Sequence, residues 1–219
     1  MSRIVAVVSG GIDSVVTAHH LAAQGHQLHV MSVDYGQRHH KELQFAQAAA
    51  ERLSAGYEEV DLRSARSVMR GSSLTDPSVA VPDAARPPSG RNPNLVPNRN
   101  AILLSLAFAV AVVEEADAVA FGVMADDVGP SDTSPEFLRL FQAMERVAIA
   151  KPEVELLAPL VALHKPEVIA LGEELGVPWA STWTCFRGQE IHCGVCASCL
   201  ERRGAFVHAG VKDPTEYAA

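Results

Sequence analysis

The stretch that decides the fold is IVAVVSGGIDS, residues 4–14. Its first part, Ile4–Val8, is an unbroken apolar run, as expected for a parallel strand that is covered on both faces. Two glycines follow, and the next segment, Asp13–Gln24, has the pattern of a helix. A strand that passes through a glycine-rich turn into a helix indicates an anion site, because free N–H groups and the positive end of the helix dipole face the turn.

Strand and helix patterns continue to alternate along the chain. The predicted strands are Gln27–Val33, Tyr57–Asp61 and Ala118–Phe121, and the predicted helices are His39–Leu53, Arg99–Glu115, Pro135–Ala148 and Lys165–Leu175. Such alternation predicts an α/β fold with a doubly wound parallel sheet, whose ligand site lies beyond the carboxyl ends of the strands. The proline-rich segment Asp76–Pro97 is predicted to be a long irregular loop, either a functional lid or disordered.

Composition and charge limit the classes of function. The 219 residues are 48% hydrophobic and carry a formal net charge of −8. An acidic surface argues against stable nucleic-acid binding, which depends on neutralising many phosphates. The longest apolar run, Ala101–Val113, is shorter than the roughly 20 residues of a membrane span. Because no signal-peptide pattern precedes the first strand, we expect a cytoplasmic protein without a membrane segment.

The turn Ser9–Ser14, SGGIDS, has the features of a phosphate-binding loop. Its serines add hydroxyl donors to the backbone N–H groups, but it lacks the lysine of the G-x-x-x-x-G-K-[ST] loop. It resembles the SGGxDS signature of the N-type ATP pyrophosphatases, enzymes that release pyrophosphate and leave AMP on a substrate oxygen. A plain strand–turn–helix with a serine or aspartate cap is the alternative. The resemblance implies ATP as a ligand, together with Mg²⁺, which commonly bridges nucleotide phosphates.

All the cysteines lie close together near the C-terminus, at Cys185, Cys193, Cys196 and Cys199. In a reducing compartment such clustering indicates a metal rather than disulfides. Four thiolates close a tetrahedral Zn²⁺ site and leave no position for water, so the predicted role is structural. An iron–sulfur cluster is the nearest alternative, although no Cys-Pro pair follows as in the bacterial ferredoxin run. We expect surface positions for the nearby His192 and for His19, His20, His39 and His40.

Several blocks of sequence together resemble the 7-cyano-7-deazaguanine synthase family, nitrile-forming enzymes of the queuosine precursor pathway. The blocks are Ser9–Ser14, Val33–His39 (VDYGQRH), Ser73–Thr75, Val81–Asp83, Val96–Asn100 (VPNRN), Thr184–Cys185 and Cys193–Cys199, followed by Arg202 and Gly204. They cover nearly the whole chain. The cysteine spacing and the DYGQRH string are specific, whereas SGGIDS alone identifies only the superfamily.

This resemblance implies a fold like that of the adenine nucleotide alpha-hydrolases over residues 1–178, with a small zinc-binding segment over residues 179–219. It implies an ATP-dependent carbon–nitrogen ligase that adenylates 7-carboxy-7-deazaguanine. Ammonia then forms the amide, and a second activation dehydrates the amide to 7-cyano-7-deazaguanine. The family also implies a homodimer. One alternative is a related amide ligase that stops before the nitrile or joins the carboxylate to another amine, including one on a protein. Another is a non-catalytic zinc-ribbon protein that binds nucleic acid.

The resemblance further implies roles for particular residues. The expected nucleotide-binding residues are Val8, Ser9, Gly10, Gly11, Ile12, Asp13, Ser14, Val15, Asp34, Tyr35 and Gln37. The expected catalytic residues are Asp13, Ser14, Arg38, Arg99 and Lys165, and the expected substrate-binding residues are Asn100, Asp127 and Asp132. Asp13 either holds Mg²⁺ or orients the loop. A solvated surface charge is the alternative for each of the three cations, and an N-cap is the alternative for Asn100.

One segment, Asp127–Phe137, departs from the family pattern D-x-S-G-Y-P-D-C-R. It is one residue shorter and lacks the tyrosine, the cysteine and the arginine, although Asp127, Gly129 and Asp132 still align. In the family this stretch lies at the substrate end of the site. We therefore expect the change to affect substrate choice or the final dehydration, and not adenylation.

Overall fold

The computed structural model describes residues 1–86, 89–90, 92–127, 131–149, 151 and 153–219. Its strands are β1 (Arg3–Val7), β2 (Gln27–Asp34), β3 (Gly56–Asp61), β4 (Ala118–Phe121) and β5 (Glu155–Leu157). Its helices are α1 (Ile12–Ala23), α2 (Glu42–Arg52), α3 (Arg99–Val113), α4 (Pro135–Ala148), α5 (Lys165–Glu174) and α6 (Ala197–Ala209). Short 3-10 helices cover Arg63–Met69, Ser131–Thr133 and Trp179–Ser181.

Every predicted strand and helix is present, and β5 and α6 are additional. Helix α2 begins three residues later than predicted, because His39 to Lys41 form a tight turn in which the Glu42 N–H bonds the His39 carbonyl at 2.9 Å. Strand β5 was not predicted because it has only three residues. Helix α6 was not predicted because it has few apolar residues. Among the described residues, no helix is long and apolar enough to cross a membrane.

Across the described residues, the strands form one parallel sheet in the order β3-β2-β1-β4-β5. The chain builds outward from β1 to one edge and then returns to build from β1 to the other edge. The doubly wound parallel α/β fold is therefore confirmed. A ligand site is expected at the carboxyl end of β1, where the direction of winding reverses.

Helices cover both faces of the sheet. Alternate side chains of the β1 region point to opposite faces: Ile4, Ala6 and Val8 pack with α1, α2, α5 and α6, whereas Val5 and Val7 pack with α3 and α4. Helix α6 is part of the first of these layers, since its Phe206 ring packs edge-on to Trp179 at 5.1 Å. The division of the chain after residue 178 stays a prediction.

The proline-rich segment 76–97 contains neither helix nor strand at its described positions, as predicted. Pro87 and Pro88 lie outside the described residues. Arg38 holds the start of this segment, because its guanidinium donates to the carbonyl oxygens of Ser73, Asp76 and Val79 at 2.9, 3.2 and 3.0 Å.

Candidate active site

The SGGIDS turn follows β1 and enters α1 directly. Gly10 has φ +85°, and a Cβ atom at this position would lie 2.3 Å from the Glu42 carbonyl oxygen. Any residue other than glycine would therefore strain the backbone at this position and clash with the Glu42 carbonyl. The hydroxyl of Ser14 accepts the Ser9 N–H and donates to the Gly11 carbonyl, each at 3.2 Å. These bonds shape the loop before any ligand binds.

A cleft of about 310 Å³ opens above this turn, a volume typical of small-molecule sites. The structure brings most of the predicted site residues to its wall: Val8, Ser9, Gly11, Ile12, Asp13, Ser14, Tyr35, Arg99, Asn100, Asp127 and Lys165. In the part of the chain that is described, the lining does not include Gly10, Val15, Asp34, Gln37, Arg38 or Asp132.

Lys165 lies beside the loop. Its ammonium donates to both carboxylate oxygens of Asp13, at 2.9 and 2.8 Å, and lies 3.6 Å from a carboxylate oxygen of Glu201. Burial works to lower the pKa of Lys165, but Asp13 and Glu201 more than offset this and leave the pKa raised. Lys165 therefore keeps its charge next to the SGGIDS turn, and because it is buried it is not a solvated surface cation.

Two further carboxylates surround this lysine. Burial raises the pKa of Glu201, on α6, and that of Asp127, whose carboxylate accepts the Met124 N–H at 3.0 Å. Sequence reasoning missed Glu201 because α6 was not predicted, although the residue lies between the family-matching Cys199 and Arg202. The loop end of the cleft thus combines one cation with three carboxylates.

Arg99 and Tyr35 form the opposite side of the cleft. The Arg99 Nε donates to the Asn100 Oδ1 at 3.2 Å. Burial works to lower the pKa of Arg99, whereas Tyr35 and Glu42 raise it, and the net result is a raised pKa. Arg99 is therefore a partly buried cation that is hydrogen-bonded to Asn100, and not a solvated surface charge.

His39 and Glu42 also line the cleft, and sequence reasoning gave neither a role. Burial lowers the pKa of His39 to about 3, with Arg99 adding to the effect. Burial also raises the pKa of Glu42 to about 8, against the hydrogen bond from Gln37 and the charge of Arg99. Near neutral pH both side chains are therefore largely uncharged. The DYGQRH motif could have indicated these two residues, because it ends at His39 and Glu42 follows three residues later.

Three histidines expected at the surface are buried: His19, His39 and His192. For His192 that expectation was wrong because tertiary packing covers the ring. It lies 4.2 Å from the Trp183 ring, and its Nε2 accepts the Thr184 N–H at 3.2 Å. Burial lowers the pKa of His192 to about 4. His20 is partly exposed and His40 exposed.

Several predicted site residues bind other parts of the protein. The buried Gln37 side-chain amide donates to the Val33 carbonyl and to the Glu42 carboxyl group. The Asp34 carboxylate accepts the Gly36 N–H. Arg38 holds the proline-rich segment, as described above. The nucleotide-binding or catalytic roles predicted for these three residues stay predictions.

The start of α3 corrects one expectation. Asn98 precedes the helix as its N-cap, so the alternative role of Asn100 as the N-cap is wrong. Asn100 lies inside the first turn, where its backbone N–H donates to Asp132 Oδ2 at 3.1 Å. Asp132 therefore holds the first turn of α3 beside the cleft. Gly129, in the segment that departs from the family pattern, lies outside the described residues.

The four cysteine thiols converge near the cleft, whose lining includes their sequence neighbours Thr184, Phe186 and Ser198. They are free and fully buried, and their sulfur atoms all lie within 4.8 Å of one another. The Cys185 sulfur also accepts the Cys193 N–H at 3.4 Å. Hydrogen bonding to Cys185 is the largest cause of the raised pKa of Cys199. Crowded thiols resist ionising together unless a cation joins them, so the donor set fits a tetrahedral metal ion with Zn–S bonds of about 2.3 Å.

The uncharged state of Glu42 leads to a prediction about pH. The pKa of this group is higher in the folded protein than in the unfolded chain, so its contribution to stability is complete below the unfolded pKa of about 4.3. That contribution is lost as the pH rises through about 8. We expect the melting temperature of Glu42→Gln to decline less between pH 6 and 9 than that of the wild type. An equal decline in both proteins, measured by calorimetry, would contradict this.

Comparison with known proteins shows the family. The family model described as queuosine biosynthesis protein QueC matches residues 3–210. Curated proteins named 7-cyano-7-deazaguanine synthase, from Brucella ovis and Brucella suis, are 44% identical over 218 residues. The matched region covers 98% of this chain and 93% of each relative.

Solved structures share the fold at low sequence identity. The NMN synthetase from Francisella tularensis is 17% identical with a TM-score of 0.53, over 96% of this chain and 78% of that one. The U34-tRNA thiolase NcsA from Methanococcus maripaludis, with its 4Fe-4S cluster, is 16% identical with a TM-score of 0.50, over 99% of this chain and 74% of that one. These likenesses establish the fold alone, whereas the family match covers nearly the whole sequence. The chain belongs to the QueC family of queuosine biosynthesis proteins.

Proposed function

We propose that the protein converts 7-carboxy-7-deazaguanine and ammonia to 7-cyano-7-deazaguanine with the energy of ATP. The observation that carries the proposal is the cleft in which Lys165 and the SGGIDS loop meet, in a chain that is 44% identical to synthases of that name. The curated relatives favour this activity over the amide-ligase alternative, and the intact cleft counts against a non-catalytic nucleic-acid binder.

The loop end of the cleft provides what adenylation requires. Backbone N–H groups at the start of α1 and the hydroxyls of Ser9 and Ser14 would bind phosphate oxygens, while Lys165 would neutralise charge that develops on the leaving pyrophosphate. Asp13, Asp127 and Glu201 are the carboxylates that would hold Mg²⁺. The ion would supply further charge neutralisation on the phosphates. Catalysis of this kind depends on position and electrostatics, and needs no covalent bond to the protein.

The far side of the cleft suits the acid substrate. Arg99 is the cation available there for the carboxylate of the deazapurine, and Asn100 is held next to it by Asp132. After adenylation, the ammonia nitrogen attacks the acyl carbon and AMP leaves with the bond electrons, giving the amide. In the second activation the amide oxygen takes the AMP group. Loss of that oxygen with AMP, and of two protons from nitrogen, gives the nitrile.

We assign the cysteine site to Zn²⁺ with a structural role. A single tetrahedral ion held by all four cysteines would require sulfurs about 3.8 Å apart, given Zn–S bonds of about 2.3 Å. The sulfurs of Cys193 and Cys199 are 3.9 Å apart. A 4Fe-4S cluster spreads its thiolates over four iron atoms, so it requires wider spacing than the 4.8 Å limit seen here. The geometry therefore favours zinc over iron–sulfur.

We also propose a cytoplasmic homodimer with separate ATP-binding (1–178) and zinc-binding (179–219) parts. Four buried free thiols suit a reducing compartment. An apolar stripe on α4, formed by Leu140, Met144 and Val147, is exposed and supports self-association. The acidic net charge of −8 supports neither stable nucleic-acid binding nor a protein acceptor with an acidic surface.

Product analysis tests the proposed function. With 7-carboxy-7-deazaguanine, ATP and saturating ammonia, we expect the nitrile, two AMP and two pyrophosphate per turnover, measured by mass spectrometry and nucleotide chromatography. One AMP per amide, without nitrile, would support the amide-ligase alternative. A shift toward the nitrile on restoring a Tyr-Pro-Asp-Cys-Arg loop would then assign the early stop to the altered segment Asp127–Phe137. Cleavage of ATP to ADP and phosphate would contradict the pyrophosphatase chemistry altogether.

A further inference from the structure

Two buried polar atoms of cleft-lining residues have no hydrogen-bond partner among the residues that the structure describes. They are Nδ1 of His39 and Oγ1 of Thr184. His39 is only 5% exposed, so bulk solvent does not reach its ring nitrogen. Native proteins rarely leave such atoms unpaired. Two of them on the wall of one cleft point to a ligand that supplies the missing bonds.

The surroundings of these two atoms suit a flat heteroaromatic ring. The Phe186 ring lies 5.8 Å from the His39 ring, and Trp183 contributes a second aromatic surface. Aromatic side chains provide the face of such a site, and a few placed polar groups read the ligand's edge. Because burial lowers the pKa of His39 to about 3, its ring is neutral. Its Nε2 lies 3.5 Å from the Glu42 Oε1, which leaves Nδ1 as the ring nitrogen without a partner among the described residues. A nitrogen of a neutral imidazole can donate or accept one hydrogen bond, which suits the uncharged edge of a purine-like base.

This part of the wall lies next to the phosphate loop. The backbone N–H of Trp183 donates to the Gly10 carbonyl at 2.9 Å, so the segment Trp183–Phe186 is bonded to the turn itself. A carboxylate can attack the α-phosphate of ATP only when the ring that carries it lies close to that loop. Cys185 stands between Thr184 and Phe186, so the cysteine cluster fixes the position of both side chains.

We propose that His39 and Thr184 bind the edge of the deazapurine ring of the acid substrate, with Phe186 against its face. The inference rests on the proposed function and extends the substrate end of the cleft to the segment Trp183–Phe186. The Thr184 hydroxyl oxygen is buried in the structure, so this contact requires the hydroxyl to rotate about the Cα–Cβ bond toward the cleft. Adenine of ATP has a similar edge, so the test must separate the two rings.

Thr184→Val tests the proposal with a matched control. Valine keeps the branched shape and removes only the hydroxyl. Thr17, on α1, also has a buried hydroxyl without a partner among the described residues, and it lies outside the described lining of the cleft. We expect Thr184→Val to raise the Kd for 7-carboxy-7-deazaguanine about tenfold, the effect of one lost hydrogen bond. Thr17→Val should leave this Kd unchanged, and Thr184→Ser should restore it.

The measurement is calorimetric titration of each variant with the deazapurine acid alone and, separately, with ATP. Because it needs no turnover, it is independent of the altered segment and of the dehydration step. A Thr184→Val protein that binds the acid like the wild type overturns the inference. An equal loss of affinity for ATP also overturns it, by assigning the wall to adenine. A wild-type protein that binds ATP but not the acid overturns the proposed function together with the inference.

Discussion

Replacing Cys196 by serine is expected to abolish the folded protein. The Cys196 thiol is fully buried and within 4.8 Å of the other three sulfurs. Binding of structural zinc contributes about 10–16 kcal/mol in small zinc domains at pH 7, which is as large as the whole net stability of a typical domain, about 5–15 kcal/mol. Losing one of four ligands removes much of that binding energy. The expected result is insoluble protein, or soluble protein with a melting temperature lowered by more than about 15 °C.

Val195→Ser is the matched control, because Val195 packs beside the cysteines without supplying a ligand. This variant should fold and retain one zinc per chain, as measured by elemental analysis. A soluble Cys196→Ser protein with wild-type melting temperature and no metal would contradict the structural role. Visible absorbance in the wild-type protein, with iron instead of zinc, would assign the site to an iron–sulfur cluster.

Lys165→Gln is expected to slow pyrophosphate release by a factor of about 100 to 1,000, the usual effect of removing one preorganised group that stabilises a transition state. The Lys165 ammonium is held against both oxygens of Asp13, so its position depends on the loop and not on bound nucleotide. Removing it also leaves the carboxylates of Asp13 and Glu201 near each other without a cation. A loss of stability is therefore expected as well, although the Asp13 side chain is 25% exposed and water reduces this effect.

Two further variants separate catalysis from folding. Lys165→Arg keeps the charge and should retain both the fold and part of the activity. Lys212→Gln removes a positive charge from an exposed position and should change neither. The measurement is ATP–pyrophosphate exchange with the acid substrate, below the melting temperature of the weakest variant. Exchange in folded Lys165→Gln within threefold of the wild type would rule out a role for this cation.

The amino-acid sequence by itself determined the fold class, the position of the SGGIDS turn after the first strand and the grouping of the four cysteines. Local interactions decide these features. The apolar run Ile4–Val8 can only be a buried strand or helix segment, and the Gly-Gly pair that follows ends it in a turn. The cysteines are close in sequence, so C-x-x-C spacing already brings thiols together. The family match depends on the same short blocks.

Only the tertiary structure decided which side chains face the cleft. Lys165 meets Asp13 although 152 positions separate them along the chain, and no local pattern encodes such a contact. Sheet winding brings α5 and α6 to the carboxyl end of β1, which adds Glu201 to the site. Burial, which also depends on distant parts of the chain, leaves His39 and Glu42 largely uncharged near neutral pH. Arg38 donates hydrogen bonds to the proline-rich segment, about 40 residues away. Periodicity and motifs report a residue's neighbours in sequence, whereas charge state and partners depend on neighbours in space.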